Sequence, residues 1–247
     1  MEGERRKARI IDFHSHVLPG LDDGSRDKEM SRRILTETYG QKVRKMVATP
    51  HFYPDSMSLD SFLSQRQRAV NNLLQVWDKD SCPRVFLGAE VAFFSGIGES
   101  DRLPRLAIEG TNTLLLEMPY SRWSERTLEE VVGIPGNHGL KVVLAHVERY
   151  LHLQEKDTLD HLLSCGIFVQ CNASFFLDTE RSHTAMDMLE KGKIHVIGSD
   201  VHNLSSRRQR IGEARDIIRE KCGDDTMERI LENSRILLSG AVSIDQM

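Results

Sequence analysis

Seven short runs of β-branched and apolar residues recur along the chain, and the stretches between many of them have helical spacing. This alternation constrains the fold more than any other feature. The runs cover residues 9–13, 45–49, 85–89, 113–116, 142–145, 167–171 and 195–198. Between them, apolar side chains recur three and four apart, as in Met30, Ile34 and Leu35, and again in Phe62, Ala69, Val70, Leu73 and Trp77. Asp27 and Ser58 stand where they would cap these two helices. Two further helical stretches, 208–221 and 226–238, follow the last run, and Asp225 with Glu228 has the spacing of a capping box. The segment 133–139, with Pro135 and flanking glycines, reads as an ordinary loop. Strands alternating with helices predict parallel βα units. Seven units without a dinucleotide-type glycine fingerprint favour an α/β barrel over an open doubly wound sheet. The expected organisation is a tail over 1–9 and one barrel domain over 10–247.

Composition narrows the function classes. Net charge is −4, so the overall basicity of a nucleic-acid coat is absent. No apolar run approaches the roughly 20 residues of a bilayer span. The charged stretch from Met1 to Arg9 is not followed by a long apolar segment, so it does not read as a secretory signal. Cys82, Cys165, Cys171 and Cys222 show no two-residue metal or redox spacing, and none has Arg six positions on. Reduced thiols in a cytoplasmic protein are expected, and thiolate phosphatase chemistry is not.

The metal-capable residues fall in a pattern. His14 and His16 end the first run, His51 follows the second, Glu90 the third, Glu117 the fourth and His146 the fifth; Asp200 and His202 follow the last. All eight sit at the carboxyl ends of expected strands, where barrel enzymes build their sites. On an extended strand His14 and His16 face the same way, as do Asp200 and His202 if the strand continues there. Imidazole nitrogen with carboxylate oxygen suits manganese, iron or zinc. Taken singly, each has an ordinary reading: a surface histidine, a helix cap, a loop charge. Asp22-Asp23-Gly24 is turn chemistry, and Asp22 reads as a turn residue. His138, His152, His161, His183 and His195 lack the placement and read as structural or surface residues.

Together, Asp12–His16 (DFHSH), Asp22-Asp23-Gly24, Thr49-Pro50-His51, Gly88-Ala89-Glu90, Leu116-Glu117, the AHVER segment from Ala145 to Arg149, and SDVHN from Ser199 to Asn203 resemble the motif series of the PHP (polymerase and histidinol phosphatase) superfamily. Within it the chain is most similar to the bacterial manganese-dependent protein-tyrosine phosphatases of capsule and exopolysaccharide operons. The resemblance implies a distorted (β/α)7 barrel holding three divalent ions, manganese first and iron or zinc as alternatives. One ion would take His14, His16, Glu90 and Asp200; a second would share Glu90 and add Glu117 and His146; the third would take Asp23, His51 and His202. Arg149 and Arg207 match the family's phosphate-contacting arginines. The implied substrate is phosphotyrosine in a protein, with a membrane-associated bacterial tyrosine kinase as partner and no nucleic acid. A small-molecule phosphatase, such as one acting on histidinol phosphate, or a nuclease would use the same site. The chain departs from the family by about nine residues before the first strand.

Overall fold

The computed structural model describes residues 9–247, so all of the expected tail except Arg9 lies outside the described residues. Among these residues, nine parallel strands form two sheets. The first contains β1 (Asp12–Ser15), β2 (Lys45–Ala48) and β4 (Arg84–Leu87), in the order β1-β2-β4. The second contains β3 (His51–Phe52), β5 (Glu90–Ala92), β6 (Thr113–Glu117), β7 (Lys141–Leu144), β8 (Phe168–Asn172) and β9 (Val196–Gly198), in that order.

Each of the seven expected strands is present, but two are interrupted. The second run breaks at Thr49-Pro50 and resumes as β3; the third breaks at Gly88-Ala89 and resumes as β5. Pro50 has no N–H to donate to a ladder, which ends the pairing locally. Across the breaks the backbone stays tied: Gly88 N–H donates to Ala48 O at 2.8 Å and Glu90 N–H to Pro50 O at 3.0 Å. His51 and Glu90 therefore open strands instead of closing them, and they become register partners. At the other edge β1 meets the end of β9 through a parallel bridge between Ser15 and Val201 and a 2.8 Å bond from Asp200 N–H to His14 O. The sheets are thus curled, with the strand ends gathered on one side.

Strand side chains divide between two environments. Phe13, Val47, Phe86, Leu115, Val143 and Val196 pack with Leu231 and Leu237. Their sequence neighbours Met46, Ala48, Val85 and Leu87 pack with Ile34 and Leu35 of α1 (Lys28–Gly40) and with Ala69, Val70 and Leu73 of α2 (Leu59–Leu74). Asp27 and Ser58 cap these helices as expected, accepting from Met30 N–H and Ser61 N–H.

The expected loop 133–139 is a correction. α3 (Glu125–His138) runs through Pro135 and stops only at Gly139, whose φ of 66° is left-handed. Val131 and Ile134 are fully buried, so packing outweighs the backbone bond that proline forgoes. Three short helices follow: α4 (Thr158–Ser164), α5 (Ala173–Leu177) and α6 (Ser182–Glu190). The last, α7 (Ile211–Leu237), is broken at Gly223 (φ 82°, ψ 176°), close to the expected division into two. The expected Asp225–Glu228 box is not what Glu228 does: its carboxylate turns to Arg235 at 2.8 Å.

Candidate metal centre

All nine residues expected to bind metal converge. Glu90 lies at their middle, on the first residue of β5. Its Oε2 is 3.2 Å from His14 Nε2, 3.3 Å from His16 Nε2 and 3.0 Å from His51 Nδ1, while its Oε1 is 2.7 Å from His146 Nε2. Asp200 Oδ1 stands 3.6 Å from His14 Nε2, 3.4 Å from His16 Nε2 and 3.5 Å from His202 Nδ1. Asp23 Oδ1 lies 3.4 Å from His51 and 3.3 Å from His202. Glu117 is at the rim, 3.8 Å from His51 and 3.6 Å from His146. Four overlapping groups of potential ligands result: His14, His16 and Asp200; His14, Glu90 and His146; His51, Glu90 and Glu117; and His16, Asp23, His51 and His202.

Hydrogen bonds behind the cluster decide which ring nitrogens face inward. Gln170 Oε1 accepts from the backbone N–H of His146 at 2.8 Å, and its Nε2 donates to Asn172. The 3.1 Å contact between Gln170 Oε1 and His14 Nδ1 therefore requires His14 to carry its proton on Nδ1. Asp22 Oδ2 accepts a hydrogen bond from Nδ1–H of His16 at 2.7 Å in the same way. The two Nε2 lone pairs then face each other at 3.0 Å, beside two carboxylates. Such an arrangement is repulsive unless a proton or a metal cation lies between. Among the described residues, four buried atoms also lack any hydrogen-bond partner: His51 Nδ1, Glu90 Oε2, Asp200 Oδ1 and His202 Nε2. Buried polar atoms are seldom left so, and here all four belong to the cluster. The donor set fits divalent cations bound through nitrogen and oxygen.

The electrostatics agree. Burial pushes His16 down, but Asp200, Asp22 and Glu90 outweigh it and hold the imidazole well above its ordinary pKa. Burial pushes Asp22 up, yet the His16 contact wins and leaves its carboxyl at about 2. Burial and the neighbouring Glu90 raise Glu117 to about 7. Glu117 thus resists ionising beside Glu90, which a bound cation would relieve.

Two backbone positions are unusual. His146 (φ 32°) and Asp200 (φ 53°) are both left-handed, a conformation that side chains other than glycine adopt at a cost of roughly 1–3 kcal/mol. The expectation that Asp200 and His202 share a face of a continuing strand fails here: β9 stops at Gly198, and a sharp turn brings both side chains inward. Two glycines make room. A Cβ at Gly198 would lie 2.4 Å from His14 Cβ, and one at Gly24 would lie 2.4 Å from His16 Cβ.

Arg149, one turn after His146, and Arg207 both donate to Asp200 Oδ2, Arg207 at 2.7 Å; Asn172 donates to the same oxygen at 2.9 Å. The arginines are about a third exposed, at the open side of the cluster.

A family model described as capsular polysaccharide synthesis, CpsB/CapC, matches residues 10–239. The chain belongs to the CpsB/CapC family. Among named relatives, the tyrosine-protein phosphatase CpsB of Streptococcus pneumoniae is 28% identical over 244 residues, covering 93% of this chain and 98% of its own. The tyrosine-protein phosphatase YwqE of Bacillus subtilis is 26% identical over 235 residues, covering 93% and 91%. A solved structure from work on YwqE and CpsB, described there as unique metal-dependent tyrosine phosphatases, superposes with a TM-score of 0.81 at 23% identity and covers 94% of this chain and 96% of that one. CpsB/CapC membership thus comes with the same α/β fold over nearly the whole chain.

Several site residues were not visible in the sequence. Asp22 is a turn residue, accepting from Gly24 N–H, but it also orients His16 and takes the backbone N–H of His51 at 3.1 Å. Gln170, Asn172 and Asp12, which accepts from Ser199 N–H and Gln209, support the cluster from behind. Their one available signal is position: Gln170 and Asn172 stand at the carboxyl end of β8, the one expected strand that supplies no ligand. His195 immediately precedes β9, at the end of the strand away from the cluster, as expected.

Proposed function

We propose that this chain is a metal-dependent phosphomonoesterase whose substrate is phosphotyrosine in a protein. The observation that carries the reading is the set of four buried, unpartnered ligand atoms beside two arginines that meet on one oxygen of Asp200. Three ions, manganese first and iron or zinc otherwise, would be held by His14, His16, Glu90 and Asp200; by Glu90, Glu117 and His146; and by Asp23, His51 and His202. Divalent ions there would supply positive charge against a phosphoryl group and would lower the pKa of water toward neutrality. Arg149 and Arg207 orient the phosphoryl oxygens with paired N–H groups, and Asn172 steadies Asp200 while they do so. We take residues 10–247 as one catalytic domain on a (β/α)7-type framework distorted by the two strand breaks.

The aromatic part of the proposal has its own support. A cavity of about 330 Å³ opens beside Asp23 and His51 and is walled by Leu21, Phe52, Tyr53, Met57 and Phe62. Tyr53 is 44% exposed and stacks on His51 with ring centroids 5.0 Å apart. A phenyl ring placed there would leave its phosphate at the cluster, and a phenolate, with a pKa of about 10, departs with little protonation. The names of the relatives and the family description support the same substrate class. The finer identification is a cytoplasmic enzyme acting on a membrane-associated bacterial tyrosine kinase that governs capsular or exopolysaccharide synthesis. No helix among the described residues is long and apolar enough to cross a membrane.

The test is a panel on chelated and manganese-reloaded protein: phosphotyrosine peptide, phosphoserine peptide, histidinol phosphate and single-stranded DNA. Reloading should restore turnover, with kcat/KM highest for phosphotyrosine. Equal rates on both peptides, or faster turnover of histidinol phosphate or DNA, would overturn the substrate class. Full activity without metal would overturn the metal chemistry.

A further inference from the structure

A second cavity, of about 270 Å³, opens beside Asp200 and holds more cationic side chains than a phosphoryl site needs. Arg149 and Arg207 line it, and so do Arg181, Arg208 and Arg210. Their carboxylate partners are oversubscribed. Arg149 and Arg207 share one oxygen of Asp200, and Arg207 also reaches Asp23 at 3.7 Å. Arg208 and Arg210 share Glu213, at 3.6 and 2.7 Å. Arg181 pairs with Asp178 at 3.0 Å. The remaining acid of the wall, Glu148, is buried against the backbone N–H of Asn172. Each guanidinium carries five N–H donors in a planar fork. Five guanidiniums on Asp200, Asp23, Glu213 and Asp178 outnumber these four carboxylates and leave donors and positive charge unspent. Binding a cation at Asp200 would leave Arg149 and Arg207 still less well compensated.

We propose that this cavity is a second anion subsite, taking an acidic side chain that neighbours the phosphotyrosine in the substrate. It rests on the phosphotyrosine reading above. Arg149 and Arg207 face the phosphate to be removed, whereas Arg181 and Arg208, about 58% and 53% exposed, face the neighbouring anion. The ligand chemistry is a planar or tetrahedral oxyanion, either the carboxylate of Asp or Glu or the phosphate of a second phosphotyrosine.

The experiment compares kcat/KM for three phosphotyrosine peptides whose neighbouring residues are alanine, glutamate or a second phosphotyrosine. The manganese-loaded wild type and the double variant R181A/R208A are measured side by side, with R126A, an exposed arginine paired with Glu130 outside this cavity, as control. The wild type should prefer both acidic peptides to the alanine peptide by about fivefold to tenfold, the scale of one charge-assisted hydrogen bond at a half-exposed site. The double variant should bring that ratio within about twofold, and R126A should keep it. A preference for the doubly phosphorylated peptide alone would narrow the subsite to phosphate. Equal kcat/KM on all three peptides, or a preference that survives the double variant, overturns the subsite. Turnover of none of them, while a small phosphomonoester is still cleaved, overturns the phosphotyrosine reading and takes the subsite with it.

Discussion

Beside Asp23 and His51 the ligand cluster is walled by Leu21, Phe52, Met57 and Phe62; beside Asp200 it is walled by guanidiniums. The first wall grows out of the core. Phe52 and Phe62 are 1% exposed and pack on each other with ring centroids 5.0 Å apart, so its shape is set by packing. The second wall is made of long, half-exposed side chains on loops and helix ends, held by ion pairs that water and salt can loosen. A rigid apolar wall selects a shape and is indifferent to salt. An adaptable cationic wall selects charge and weakens as salt rises. The two can therefore be taken apart experimentally, provided the cluster they share stays intact.

The largest effect should come from removing what both walls serve. Glu90 touches four histidines, so Glu90→Gln should lose bound metal and reduce turnover by more than about 100-fold on every substrate. Elemental analysis checks it: full metal content in the E90Q protein would mean that Glu90 is not the shared ligand. Next come Arg149→Ala and Arg207→Ala, each expected to lower kcat about 100-fold with metal content intact. Loss of metal instead would show that the arginines act by holding Asp200 in place. The apolar wall is worth less. Tyr53→Ala should lower the ratio of kcat/KM for aryl over alkyl phosphates by about fivefold, in line with one aromatic contact, and equally at low and high salt. A salt-dependent loss would mean the ring sits against the arginines.

The smallest effect lies away from the cluster. His195 Nδ1 accepts from Val169 N–H at 3.1 Å, which requires a neutral ring, and burial with nearby Arg229 lowers its pKa. A histidine whose pKa falls on folding stabilises the fold above its unfolded value, near 6.5, and that share is lost as pH falls below it. In chelated protein, His195→Asn should therefore shrink the drop in Tm between pH 7.5 and 5.5 by about 2 °C. An unchanged drop would place the sensitivity elsewhere.

The cluster was legible because strand ends are legible. Each of the seven apolar runs has a strand in it, and the metal-capable residues follow them in order. Helix starts were legible too, since Asp27 and Ser58 cap through their own side chains. What could not be read was anything decided by tertiary contact. Pro135 lies inside α3 because Val131 and Ile134 just before it are buried, and no local rule weighs that burial against a lost N–H. The breaks after β2 and β4 look like strand endings in sequence, and only the neighbouring ladders show that the chain resumes pairing. Asp200 leaves the extended conformation (φ 53°) where Ser199 N–H turns to the Asp12 carboxylate and its own N–H to His14 O. Asp22, Gln170 and Asn172 are ordinary polar residues by type; what they do depends on which ligand atom or backbone group each one faces.

The bridge between β1 and the end of β9 sets an order of events for the making of the protein. Ser199 N–H binds Asp12 Oδ1 across a separation of 187 residues, and His14 acquires Asp200 only when that long loop has closed. A ribosome that has delivered α1, α2 and the strands through β8 has produced a chain with most of its histidines and no completed centre. Contacts this distant form late and slowly. Stalled or proteolysed fragments lacking the last sixth of the chain should therefore be catalytically silent, so the enzyme appears only when synthesis has passed Arg207.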